Sequence, residues 1–434
     1  MQLATAGAPL SVLNTRIAKM RTHHALLPWR RLSLISTCAT VVTLSWLQPA
    51  GPGNISPVDV FMAISILTTV FWAISERIVL RTAYVLPMAV FSFAGAIASI
   101  FSNFEGVGLL SVVQDFVILS WAITVITVCR NADGLRAVLR CWAYAGIGAA
   151  IIMVSASLLH LDALAGITAR EGNRATLAMG DPNMAAGYFC MSLMIVWASR
   201  TPRHLVARWA GCIMLVTAVV FTGSNGFSIG TAAACLTAAT FGLARRRGPV
   251  PAVAMLCTVL FVAGAAYTQI NTNSIIRDAA GSVPLLRDYI GRSAQSAQGR
   301  DSLLHETLGL VSQGGLIGIG PMAVKPTLQA EQAQVAFEAH SDYTASIAER
   351  GVLGGVGLFL IIVTIAFHAR RSQARLPDGL SAALVRPGAL IGALVACAIA
   401  ANIYELMHFR YIWTVFAIVA AVSIWGRQRE QPVS

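Results

Sequence analysis

Two groups of polar residues stand beside long apolar stretches and could carry acid–base or anion-binding chemistry. The first group is His340 and Asp342, which precede an apolar stretch beginning at about residue 350. An imidazole is the side chain best able to move a proton near neutral pH, and a carboxylate beside it could orient it or act as the base. Alternatively, Ser341 or Asp342 caps the following helix. Capping gives no account of His340.

The second group contains arginines. Arg174 lies shortly before residues 181–183, Asp-Pro-Asn, which open another apolar stretch. The Asp-Pro pair is typical of a helix N-cap and first turn. An arginine cannot cap a helix N-terminus, because its side chain has no hydrogen-bond acceptor. A cation near a helix N-terminus is instead suited to binding a phosphate. Arg300 is a second cation of this kind, for which an exposed ion pair with Asp301 is the alternative.

Four further polar residues are possible substrate contacts: Asn183, Asn225, Arg410 and Asp115. Asp115 is the clear acidic residue inside an apolar stretch, and an ionisable residue in that setting is functional by default. Arg410 follows Glu405 and His408 in a charged turn that could pair with a loop or bind substrate. The turn 222–226, which holds Asn225, needs no function as a turn.

The composition identifies the solvent of these elements as lipid. Of the 434 residues 56% are apolar and only 12% are charged, against about 25% charged residues in soluble domains. The mean hydropathy is +0.69. We interpret the net charge of +12 as the arginine excess of cytoplasmic loops and predict no nucleic-acid partner. The eight cysteines form no Cys-x-x-Cys pair, so neither a metal site nor a disulfide framework is indicated. We also predict no cofactor.

The apolar stretches predict an all-α polytopic membrane protein with about twelve transmembrane helices, because about 20 apolar residues cross a bilayer. They lie near 32–48, 58–75, 84–101, 107–128, 137–159, 183–199, 205–222, 226–243, 250–267, 350–368, 387–404 and 409–426. With both termini in the cytoplasm, every cytoplasmic connection is basic, as the positive-inside rule requires. The arginines described above then lie on the external face.

The predicted organisation has five parts: a cytoplasmic segment 1–31, helices one to nine over 32–267, a periplasmic loop 268–349, helices ten to twelve over 350–426, and a cytoplasmic tail 427–434. The loop between the ninth and tenth helices is too long for a plain connection. Apolar periodicity predicts helices at 302–312 and 328–337 within it. We interpret the loop as a helical cap over the bundle.

Six short motifs, taken together and in this order, resemble those of the O-antigen polymerase and O-antigen ligase family, membrane glycosyltransferases of the GT-C type. The motifs are Arg174 ahead of Gly180-Asp181-Pro182-Asn183, Thr222-Gly223-Ser224, Arg300, Gly318-Ile319-Gly320-Pro321, Ala339-His340-Ser341-Asp342-Tyr343 and Glu349-Arg350-Gly351-Val352-Leu353-Gly354. The resemblance covers about residues 170–365. A weaker similarity links residues 340–343, with Glu349 and Gly351, to the SEDS peptidoglycan polymerases, in which an aspartate at the position of Asp342 is essential.

The resemblance implies glycosyl transfer at the periplasmic face of a bacterial inner membrane, without metal or nucleotide. The donor is an oligosaccharide on undecaprenyl diphosphate, and the acceptor is a sugar hydroxyl on another lipid-linked repeat (polymerase) or on lipid A–core (ligase). Arg174 and Arg300 are implied to hold the diphosphate and His340 to be the base. Many relatives have Ser-Arg-Gly where this chain has Ser224-Asn225-Gly226.

We favour a polymerase of O-antigen or exopolysaccharide, with a ligase as the alternative. A flippase and a chain-length regulator are possible partners besides membrane lipid. A lipid-linked glycan transporter is the third alternative, but it predicts charged groups near the midplane of the membrane. The polar residues of this sequence crowd one face instead.

Overall fold

A computed structural model describes residues 29–47, 56–168, 174–269, 306–330, 341–374 and 376–426. Within these ranges the regular elements are helices and no strand occurs. In chain order they are α1 (29–42), α2 (Pro57–Ser75), α3 (Val85–Ile100), α4 (Glu105–Val128), α5 (Ala132–Leu158), α6 (Asp162–Ala165), α7 (Pro182–Ser199), α8 (Leu205–Thr222), α9 (Asn225–Arg247), α10 (Pro249–Gln269), α11 (306–314), α12 (Val324–Ala330), α13 (Asp342–Ser372), α14 (Asp378–Ala383), α15 (Gly388–Ala400) and α16 (Arg410–Trp425).

The all-α polytopic fold is confirmed, and a described helix coincides with each of the twelve apolar stretches. Six described helices are long and apolar enough to cross a membrane by length and composition: α2, α4, α5, α8, α9 and α13. Val85–Ile100, Pro249–Val262, Gly388–Ala400 and Arg410–Trp425 are shorter apolar stretches.

The centre of the bundle is formed by α7 and α16, which are buried along almost their whole length. A helix that is apolar on all sides belongs inside a bundle. Around them, α2, α8 and α13 turn apolar side chains such as Phe61, Ile213 and Phe359 outward, as lipid-facing helices do. Glycines allow close helix contacts in this shell: Gly357 of α13 lies on the backbone of Phe91, and Gly392 of α15 lies on that of Ala234.

The long loop differs from its predicted form in its helix bounds. The predicted helices are 302–312 and 328–337; residues 306–314 and Val324–Ala330 are helical, and residues 302–305 and 331–337 lie outside the described part. Leu310, Val324 and Leu328 pack with Ala345 and Ala348 of α13 in a small apolar cluster, separate from the main core. The loop therefore rests on the first turns of α13.

The helix α13 begins eight residues before the predicted tenth span and is interrupted once. At Gly351 the backbone has φ 65° and ψ −164°, a conformation reserved in practice for glycine. Residues of the loop bind the exposed backbone there: Val352 N–H donates to Leu316 O at 3.1 Å, and Ile319 N–H donates to Ala348 O at 3.0 Å. The prediction missed residues 342–349 because their burial comes from contact with this loop and with the turn 401–407, not from an apolar sequence.

Candidate functional site

Arg174 is held between the end of one helix and the start of another. Its Nε donates to the carbonyl oxygen of Thr222 at 2.7 Å, at the end of α8. Its Nη2 donates to Oδ1 of Asn183 at 3.1 Å, in the first turn of α7. The residue is half-buried. Two of the predicted substrate contacts, Arg174 and Asn183, thus touch each other.

The start of α7 has the predicted N-cap. Asp181 Oδ1 accepts hydrogen bonds from Asn183 N–H at 2.7 Å and Met184 N–H at 2.9 Å, and Pro182 occupies the first helical position. The capping interpretation of Asp181 is therefore confirmed. The Asp181 carboxylate stabilises the start of α7. The same helix start positions Asn183, which accepts the hydrogen bond from Arg174.

The turn 222–226 joins α8 to α9. Gly223 ends α8 in the left-handed region, with φ 62°, which favours glycine at this position. Asn225 is the first residue of α9, and its Oδ1 is buried without a hydrogen-bond partner among the described residues. The hydroxyls of Ser224 and Tyr404 lie 3.3 Å apart, so the turn also contacts the connection between α15 and α16.

Asp342 is buried and binds that same connection. Its two carboxylate oxygens accept from Leu406 N–H at 3.0 and 2.9 Å, and Oδ1 also accepts from Met407 N–H at 3.2 Å. Its own N–H donates to Ala401 O at 3.0 Å. Ser341 is the N-cap residue of α13 but makes no side-chain cap hydrogen bond. The interpretation of Asp342 as a cap is thus wrong: its carboxylate serves a turn remote in sequence.

Arg410 forms an ion pair at the start of α16. Its Nε lies 3.0 Å from Asp59 Oδ1 and its Nη2 lies 3.2 Å from Asp59 Oδ2. Asp59 also accepts from Ser56 N–H at 2.9 Å, in a capping box at the start of α2. Sequence reasoning missed Asp59, although the Ser-x-x-Asp pattern before an apolar stretch was a signal for a helix start.

These contacts join the N-terminal ends of five helices, α2, α7, α9, α13 and α16, at one end of the bundle. We call this surface the N-terminal rim and define it by Asp59, Arg174, Asn183, Ser224, Asp342, Tyr404 and Arg410. The N–H groups and positive dipole ends of helices favour anions. The rim therefore combines helix starts with a fixed guanidinium group.

Asp115 lies below this surface in a buried ion pair. Its Oδ2 is 2.6 Å from Nη1 of Arg350, and the two side chains are 4% and 3% exposed. Ser111 Oγ and the Phe91 carbonyl oxygen accept further hydrogen bonds from this guanidinium at 3.1 and 3.3 Å. Arg350, predicted as an external loop cation, is thus inside the bundle. The pair joins α4 to α13, and the possible substrate contact of Asp115 stays a prediction.

His408 lies between these two ion pairs, in the turn before α16. Its Nδ1 is buried and has no hydrogen-bond partner among the described residues. Burial lowers the pKa of His408 to about 4, with Arg350 and Arg410 adding to the effect and Asp115 opposing it. The imidazole is accordingly neutral at pH 7, so it adds no positive charge to the rim.

Two predicted site residues, His340 and Arg300, lie outside the described residues, and their roles stay predictions. Across the described residues, no group of three or more His, Cys, Asp or Glu side chains could hold a metal ion. At the rim, the group on which a proposal of anion binding rests is the guanidinium of Arg174.

Comparison with known proteins supports the resemblance found in the sequence. The sequence model of the O-antigen ligase family matches residues 210–359, a stretch that runs from α8 into α13 and includes the turn 222–226 and Asp342. No curated protein matches the chain. The chain thus resembles the O-antigen polymerase and ligase family, and this supports a transfer reaction of the glycosyltransferase or ligase type on lipid-linked glycans.

Proposed function

We propose that this protein is a polysaccharide polymerase of a bacterial inner membrane. It transfers a glycan from undecaprenyl diphosphate to a sugar hydroxyl of another lipid-linked repeat, at a periplasmic site on the N-terminal rim. The single observation that carries the proposal is the position of Arg174, held by Thr222 at the end of α8 and by Asn183 at the start of α7.

The chemistry follows from the charge that develops during transfer. The acceptor oxygen forms a bond to the anomeric carbon while the bond from that carbon to the diphosphate oxygen breaks, and the acceptor proton passes to a base. The leaving diphosphate gains negative charge, which a preorganised guanidinium and helix N–H groups stabilise. Attack opposite the diphosphate inverts the anomeric centre, and no metal ion is needed in this scheme.

In this scheme His340 is the base and Arg300 is the second diphosphate ligand. Asp342 is two residues from His340 in the chain, and Leu406 and Met407 hold its carboxylate through their N–H groups. These bonds support a positioning role for Asp342, either for the segment that carries His340 or for the imidazole itself. In the SEDS-like alternative Asp342 is the base.

The ligase is the second candidate, because the description of the matching family is O-antigen ligase and that match does not distinguish the two reactions. The two reactions share donor and leaving group and differ in the acceptor. Asn225 bears on both: it replaces the arginine that many relatives have in this turn, so Arg174 or Arg300 would carry more of the diphosphate charge.

The test of the diphosphate site is transfer in vitro from a purified undecaprenyl-diphosphate repeat, read as ladder length on a gel. We expect Arg174→Ala to lower the rate about 100-fold or more, and Arg174→Lys to restore part of it, because lysine keeps the charge and loses the two-point geometry. Arg203→Ala, an exposed arginine at the opposite end of the bundle, is the matched control. Wild-type rates for Arg174→Ala and Arg300→Ala would refute the site.

The same assay ranks the two candidate bases. We expect His340→Ala to abolish long products and Asp342→Asn to be milder, because asparagine still accepts a hydrogen bond from Leu406 N–H. The inverse ranking would assign the base to Asp342, as in the SEDS-like alternative. Full activity of both variants would favour a transporter. Adding lipid A–core as acceptor separates ligase from polymerase by the product formed.

A further inference from the structure

A cluster of arginines at the end of the bundle opposite the N-terminal rim surrounds a cavity of about 620 Å³. The cavity lies where the C-terminal ends of α7 and α9 meet the start of α15. Four arginines line it: Arg200, Arg245, Arg246 and Arg386. Among the described residues that line it, none is acidic. The proposed glycosyl transfer makes no use of this cavity.

The arginines are brought together by the backbone at two helix ends. Arg200 ends α7, and Arg245 and Arg246 occupy the last turn of α9. Arg386 precedes α15 and is held there, because its N–H donates to Ala198 O at 3.0 Å. Its guanidinium carbon lies 5.7 Å from the ring centre of Trp197. Arginines at helix C-termini are favourable, yet so many like charges around one cavity repel one another.

The electrostatics show this repulsion at Arg386. Partial burial lowers the pKa of Arg386, and the positive charges of Arg200, Arg246 and Arg208 lower it further. The guanidinium stays protonated at pH 7 because its ordinary pKa is far above neutrality. A bound anion would relieve the repulsion among these groups and gain charge-assisted hydrogen bonds.

Apart from Ser381, the rest of the lining is apolar. Trp197, Leu243, Leu376 and Leu384 share the cavity with the arginines. A soluble anion would contact the arginines and leave the apolar wall uncovered. A molecule with a charged head and a hydrocarbon part would contact both the arginines and the apolar wall. The positive-inside rule places this end on the cytoplasmic side, where basic pockets between helices suit lipid headgroups.

We propose that this cavity binds the phosphate headgroup of an anionic phospholipid, with the arginines around the phosphate and the acyl chains along the apolar wall. The site is separate from the diphosphate site proposed on the rim and does not depend on it. The bound lipid stabilises the junction between the C-terminal ends of α7 and α9 and the start of α15. None of the ion pairs described for this chain links these three helix ends.

The test measures the melting temperature of the purified full-length protein in an uncharged detergent. Dioleoyl phosphatidylglycerol should raise the Tm by about 3 °C or more at saturation, and dioleoyl phosphatidylcholine, with the same chains, should raise it by less than about 1 °C. Inorganic phosphate is the second arm: an equal shift with phosphate alone would assign a soluble anion and overturn the lipid proposal.

Variants locate the effect. In Arg246→Gln/Arg386→Gln, the affinity for phosphatidylglycerol, counted as bound lipid by native mass spectrometry, should fall about tenfold or more. Arg140→Gln/Arg203→Gln removes the same charge from the same end outside the cavity and should bind as the wild type does. Arg246→Lys/Arg386→Lys keeps both charges and should retain most of the binding. It therefore separates the loss of charge from any structural effect of substituting these two positions. Equal binding by the two glutamine double variants would overturn the proposal.

Discussion

The two ends of the helical bundle hold their arginines in different ways. At the N-terminal rim and just below it, Arg410 and Arg350 pair with Asp59 and Asp115, and Arg174 is oriented by the oxygens of Thr222 and Asn183. At the opposite end, three arginines at helix C-termini and Arg386 before α15 gather around a cavity whose described lining has no acidic residue, while Arg136 forms an exposed pair with Asp133 outside it. One end uses arginine to fix geometry, and the other accumulates positive charge.

This difference separates two uses of a residue that sequence patterns alone treat alike. A guanidinium bound to neighbouring oxygens has a defined direction, which transition-state stabilisation requires. A group of like charges supplies electrostatic attraction with little directional demand, which suits a lipid headgroup. Three measurements can break or sharpen the contrast.

The largest expected effect is all-or-none labelling that assigns each end to a side of the membrane. In a cysteine-free variant, Asn402→Cys lies exposed near the rim and His204→Cys lies exposed in the α7–α8 connection. An impermeant maleimide added to intact cells should label position 402 and leave position 204 unlabelled. After lysis both should react. The reverse pattern would place the rim in the cytoplasm and end the periplasmic proposal.

The next effect concerns the buried pair of Arg350 and Asp115. Arg350→Met leaves a carboxylate without its counter-charge in the bundle, and we expect a loss of about 3–5 kcal/mol in the free energy of unfolding. Asp115→Leu/Arg350→Met removes both charges and should recover much of that loss. Denaturant unfolding in detergent measures both. A single variant as stable as Arg203→Met would contradict a geometric role for this arginine.

A smaller effect is expected for Arg410 and Asp59, whose side chains are 20% and 18% exposed. A double-mutant cycle with Arg410→Gln and Asp59→Asn should give a coupling energy of about 1 kcal/mol, because solvent screens the pair in part. Arg136 and Asp133, an exposed pair at the basic end, provide the control, with a coupling of about 0.5 kcal/mol or less. Equal coupling energies in the two pairs would mean that the arginine–aspartate pair at the rim is no stronger than an exposed pair at the opposite end, which would contradict the contrast between the two ends.

The helices were predictable because each depends on a local property of the sequence. Apolar length located all twelve stretches that the described helices occupy, and the Asp-Pro pattern located the cap at Asp181. The partners of the polar residues were not predictable. Asp115 and Arg350 are 235 positions apart, and Asp342 and Leu406 are 64 apart. Which of several charges meet depends on how the helices pack, and apolar periodicity carries no information about that choice.

The start of α13 shows the same limit in a single element. Residues 342–349 mix polar and apolar types in sequence and are largely buried in the structure, because the loop and the 401–407 turn cover them. Resemblance to a family drew attention to Asp342 and Arg350 as parts of motifs. It gave no sign that the first binds backbone N–H groups and the second binds Asp115.

The hydrogen bonds between residues 316–320 and the break at Gly351 have a consequence for the evolution of this region. Ala348, Glu349 and Val352 each form a hydrogen bond with the backbone of residues 316–320. An insertion or deletion within residues 316–320, or within residues 348–352, would therefore misalign all of these bonds together. The number of residues joining the two stretches is not set by them. Homologous sequences aligned to this chain should therefore concentrate their gaps between the two stretches and keep both stretches constant in length.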